Sequence, residues 1–113
     1  MSGSEAIKHA LSCYDDDGVQ GYYSRLGALV AVRTESQNPE RLREHYNYAN
    51  DHMTPALERM DYECRVYDNP HEGCGPVFLA QRIEDESLPT LLCYGHGDVV
   101  LGMEGQWDEN RDP

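Results

Sequence analysis

His96 and Asp98 stand two residues apart in Leu91-Leu92-Cys93-Tyr94-Gly95-His96-Gly97-Asp98-Val99-Val100. On an extended backbone that spacing turns both side chains to one side. An imidazole that ligates a metal commonly has its second ring nitrogen fixed by a carboxylate. The pattern therefore suits His96 as a metal ligand and Asp98 as the group that orients it. Gly95 and Gly97 leave room around the ring and permit backbone angles that are costly for other residues. The apolar run before them would deliver the pair to the carboxyl end of a sheet strand. The chain ends at Pro113, so the other members of such a site are expected outside this sequence.

Two other uses of these residues compete. His71-x-x-Cys74 and Cys93-x-x-His96 have the ligand types and spacing of a small structural zinc module. A straight strand opposes this, because it points Cys93 and His96 to opposite faces. The plainer readings are Cys93 as a small buried hydrophobe and His71 as an exposed loop residue. Alternatively the run from Leu88 to Tyr94 is a sheet edge awaiting a partner strand, in a non-catalytic assembly unit. The acidic clusters Asp15-Asp16-Asp17 and Glu109 to Asp112 read as solvated turns. Trp107 is expected to cover the edge of a core.

The elements that would position the pair follow from periodicity. Residues 5–12 suit a short helix, broken at Asp15-Asp16-Asp17-Gly18. Between Gln20 and Arg33, Tyr22, Leu26, Leu29 and Val30 share one helical face. Gly27 costs that helix ~1 kcal/mol against Ala, which suggests close packing or a shifted boundary. Asn38 can cap the next helix and Pro39 fits its first position. Leu42, Tyr46, Ala49 and Met53 form its apolar stripe. Pro55, without an N–H, predicts a kink or break, with Ala56 to Met60 as a last helical stretch.

From Tyr62 to Tyr67 the alternation is that of a strand. A turn-rich loop through Asp68-Asn69-Pro70 and Gly73-Cys74-Gly75-Pro76 leads to a second, antiparallel strand over Val77 to Ile83. Glu84-Asp85-Glu86-Ser87 is a charged turn. Thr90 to Tyr94 lacks polar alternation and predicts a third strand, buried on both faces. Helices followed by three strands imply an α/β layer architecture within one partial domain, residues 1–113.

Composition sets the outer limits. The 113 residues are 39% hydrophobic, with eight Tyr against one Phe and one Trp, as a globular chain requires. A net charge of -12 argues against nucleic acid or an anionic membrane as the main partner. No apolar run reaches the ~20 residues of a membrane span, and the N-terminus lacks a secretion-signal pattern. The scattered Cys13, Cys64, Cys74 and Cys93 read as reduced thiols of a cytoplasmic protein.

The run 91–100, followed by Gly102, Gly105-Gln106-Trp107 and Asp112-Pro113, resembles the family of aminoacylases, acetylornithine deacetylases, succinyl-diaminopimelate desuccinylases and related dipeptidases and carboxypeptidases. The family pattern is a hydrophobic strand, then G-H-x-D-V-V, then a Trp and a D-P-F-like turn. Upstream, Leu29-Val30-Ala31-Val32 leading to Thr34 and Ser36 resembles its first helix and Ser/Thr loop. Leu101 departs from the family, which commonly has proline there.

The resemblance implies the N-terminal part of a zinc-exopeptidase-like three-layer α/β/α domain with three strands of a mixed sheet. His96 would be a ligand of one of two zincs, with cobalt as a substitute metal. Asp98 would be the catalytic-site carboxylate that fixes His96. The metal-bridging aspartate, the Glu-Glu pair holding the general base, and the remaining ligands would lie further downstream. The implied reaction is amide hydrolysis of N-acyl amino acids or short peptides, by an enzyme that can form a homodimer. A lone ligand leaves this segment inactive.

Overall fold

The computed structural model describes residues 2–15, 18, 21–109 and 111, and the backbone alone at Asp15. Asp16, Asp17 and the Asp112-Pro113 turn lie outside the described residues. The chain divides into two units, residues 1–32 and 33–113.

The first unit holds helices α1 (Gly3–Asp15) and α2 (Tyr22–Val30). Helix α1 starts before the expected residue 5. The Ser2 hydroxyl accepts from the Glu5 amide at 3.3 Å, and Glu5 accepts from the Ser2 amide at 2.7 Å. This reciprocal box satisfies two donors that the first helical turn leaves unpaired. The helices meet through Tyr14, Tyr22 and Tyr23, with ring centroids 5.3–5.5 Å apart. The hydroxyls of Tyr14 and Tyr23 are 2.8 Å apart. Helix α2 runs through Gly27. Among the described residues nothing lies within 4 Å of where a Cβ would stand there, so close packing does not account for this glycine.

In the second unit Asn38 caps as expected: its side chain accepts from the Glu40 amide at 3.1 Å, and Pro39 opens a tight 3-10 turn, Pro39–Arg41. Helix α3 (Leu42–Asn47) continues into a wide π-helical segment, Tyr48–Met53, and then helix α4, Thr54–Glu58. Pro55 therefore neither breaks nor ends the helix. The backbone widens ahead of it, and both the amide and the hydroxyl of Thr54 donate to the Ala49 carbonyl, the hydroxyl at 2.9 Å. A π-type turn is a known way to absorb a missing helical hydrogen bond.

Helix α4 ends two residues before the expected Met60, at a left-handed Asp61 (φ 63°). The Asp61 amide donates to Glu58 and the Tyr62 amide to Leu57, which is the Schellman pattern. Strands β1 (Glu63–Tyr67) and β2 (Val77–Gln81) then form an antiparallel hairpin, with Val66 opposite Phe78 and Cys64 opposite Ala80. The strand alternation holds: Cys64, Val66, Phe78 and Ala80 are half-buried while their neighbours are exposed. The loop is tied by Asn69 to the Gly75 carbonyl and by the Tyr46 hydroxyl to Asp68.

The third strand is a correction. Residues 90–94 run without ladder hydrogen bonds, and the only strand pair among the described residues is β1–β2. Leu91, Leu92 and Tyr94 are 86%, 87% and 93% exposed. An apolar run becomes a buried strand only where neighbours pair with its backbone and cover its faces, and no described residue does so. Cys93, expected to be buried, is exposed for the same reason. The architecture is mixed helix and sheet, with two strands rather than three. Trp107 is half exposed, its indole N–H donating to Gly102 within its own loop rather than sealing a core.

Candidate functional site

The site is built where residues 33–36 meet residues 97–99. The Thr34 hydroxyl donates to the Gly97 carbonyl at 2.7 Å, and the Val99 amide donates to the Thr34 carbonyl at 3.1 Å. Glu35 and Val99 form an isolated parallel bridge. One residue further on, the Ser36 hydroxyl donates to Oδ2 of Asp98 at 2.8 Å. The other carboxylate oxygen, Oδ1, lies 2.8 Å from Nδ1 of His96.

An ionised carboxylate only accepts hydrogen bonds. The contact with His96 therefore places a proton on Nδ1 and leaves Nε2 of the neutral ring with a free lone pair. The His96 side chain is 74% exposed, and that of Asp98 about half as much, at 37%. The Ser36 hydroxyl is the largest influence holding the Asp98 carboxyl below the ordinary aspartate range. Partial burial works against it, and His96 adds to it.

Beneath this pair the loop is anchored by charge. Glu35 is buried, its Oε1 accepting from Nε and Nη2 of Arg33 at 3.0 and 2.7 Å. Its Oε2 sits 3.4 Å from Nε of Arg41, on the turn that opens α3. A carboxylate between two guanidiniums is compensated, which a lone buried charge is not. Both arginines reach solvent.

Gly97 matters for a reason different from the expected one. Neither Gly95 nor Gly97 has positive φ. A Cβ on Gly97 would stand 2.6 Å from Cε1 of Tyr48 in the π-helical segment. The glycine is there because a helix side chain lies against the His96–Asp98 backbone.

His96 and Asp98 are thus brought together. His71, Cys74, Cys93 and His96 are not: among the described residues no three His, Cys, Asp or Glu side chains gather as a metal-binding group. Sequence reading placed Thr34 and Ser36 in a Ser/Thr loop but gave them no partner. Nothing local encodes a contact spanning 62 residues. No helix among the described residues is long and apolar enough to cross a membrane. No protein-family model, no curated protein and no solved structure matches the chain.

Proposed function

We propose that this chain contributes a metal ligand and its orienting carboxylate to a zinc-dependent amidohydrolase or metallopeptidase of the aminoacylase and acetylornithine deacetylase kind. Its substrates would be N-acyl amino acids or short peptides. The observation that supports this most is the His96–Asp98 contact. The ring is open to solvent, Nδ1 is engaged by the carboxylate, and Nε2 is left free, which is the donor chemistry a zinc-ligating imidazole needs.

When bound, zinc supplies Lewis acidity and an acidified water. The chain's own part is narrower. Asp98 holds the tautomer and the direction of His96, and His96 offers Nε2. A catalytic zinc takes three protein ligands, of which the resemblance assigns one to these residues. The resemblance assigns the bridging aspartate, the general-base glutamate and the other ligands to none of the residues present here.

Zinc titration of the purified chain, followed by NMR at the histidine side chains, tests this. The expected result is a weak, saturable shift at His96 that disappears in His96→Ala. Tight one-to-one zinc that is lost in Cys74→Ser would overturn the reading in favour of the four-ligand module.

A further inference from the structure

We propose that Ser36 is the positioning residue for the His96–Asp98 pair, gripping the carboxylate from the side opposite the imidazole. The inference rests on the zinc-ligand reading of His96. An aspartate carboxylate turns easily about its last torsion, which has no sharp staggered wells. A hydrogen bond at one oxygen fixes a distance and leaves the plane free. Hydrogen bonds at both oxygens, from Ser36 at Oδ2 and His96 at Oδ1, fix the plane as well.

The grip is useful only if Ser36 is itself held, and the loop supplies this. Thr34 and Glu35 are buried, and the Thr34 hydrogen bonds and the Glu35–Val99 bridge set the register of 34–36 against 97–99. Arg33 holds one oxygen of Glu35 by two hydrogen bonds, and Arg41 faces the other by charge alone, without a hydrogen bond. Ser36 follows directly, exposed, with its hydroxyl on the carboxylate. Two strips of chain 62 residues apart are thereby locked so that one hydroxyl reaches one oxygen.

The alternative is that Ser36 merely fastens the loop. Long-range nitrogen–proton NMR on the full chain, with the imidazole neutral, separates the two. In the wild type His96 is expected in the Nδ1–H form. Ser36→Ala should lose that signature and give a mixture of tautomers, with helical circular dichroism unchanged, and Ser36→Thr should restore it. Zinc affinity at His96 should weaken in Ser36→Ala by up to ~10-fold, the low end of what direct partners of a ligand show. If Ser36→Ala lowers the melting temperature but leaves tautomer and zinc affinity as in the wild type, the positioning role is overturned while the zinc reading stands. If the tautomer responds but zinc never shifts His96, the positioning role is upheld and the zinc reading falls.

Discussion

At the scale of single residues, the site depends as much on what is missing at Gly97 as on what is present at His96 and Asp98. A methyl group there would overlap the Tyr48 ring, which stacks on His52 with centroids 6.1 Å apart. Either the ring or the 97–99 backbone must shift to admit that methyl group. Gly97→Ala is therefore expected to cost ~1–3 kcal/mol, the usual range for an overpacked contact. Chemical denaturation of the single variant measures it. Pairing it with Tyr48→Ala, which removes the ring, should recover part of the loss. Strictly additive effects would show that the two side chains do not meet. Glu35 illustrates a different residue-level point. It is a buried carboxylate in a segment that reads as a polar loop, and its two arginine partners lie on either side of it in sequence, at 33 and 41.

Among the elements, those governed by local chemistry were legible and those governed by distant partners were not. Asn38-Pro39 announced a helix start because an Asx side chain and a proline ring act within one turn. The hairpin was legible because alternation and a turn-rich loop are both local. The His-x-Asp pair was found because its geometry needs only an extended backbone. The boundary at Asp61 is legible from the change of period, but α4 stops two residues short of Met60 because a left-handed aspartate cap carries no signal as strong as a glycine. The Thr90–Tyr94 strand was wrongly expected because apolar composition states a need for neighbours and cannot supply them. Helix α1 begins at Gly3, ahead of its apolar pattern, because the Ser2–Glu5 box satisfies its first amides. That box also makes α1 sensitive to acid. The Ser2 amide, then the Ser2 hydroxyl, hold the Glu5 carboxyl below its ordinary value of 4.5. A lowered folded-state value means that the unfolded chain binds the proton more readily. The contribution is complete above 4.5 and is lost as pH falls through the lower, folded value. Fraying of the first turn of α1 should appear in that acid window, seen as loss of amide protection at Glu5 and Ala6. Glu5→Gln should remove its pH dependence.

The molecule as a whole encloses little. Among the described residues Ala49 is the only buried apolar side chain, while Leu91, Leu92, Tyr94 and Val100 stand largely in solvent. An exposed apolar run of this length favours association between copies of the chain. Burying Leu91 and Leu92 alone is worth ~3–6 kcal/mol. Opposing any contact between copies is the net charge of -12, whose repulsion weakens as salt screens it. The isolated chain is therefore expected to remain monomeric in dilute salt and to self-associate at high salt, as followed by sedimentation velocity. Replacing Leu91 and Leu92 together by aspartate should abolish the association and leave helical and sheet circular dichroism unchanged, since neither side chain is packed. The opposite outcome is equally readable. Loss of fold in the double variant would overturn the prediction, which requires both side chains to be unpacked.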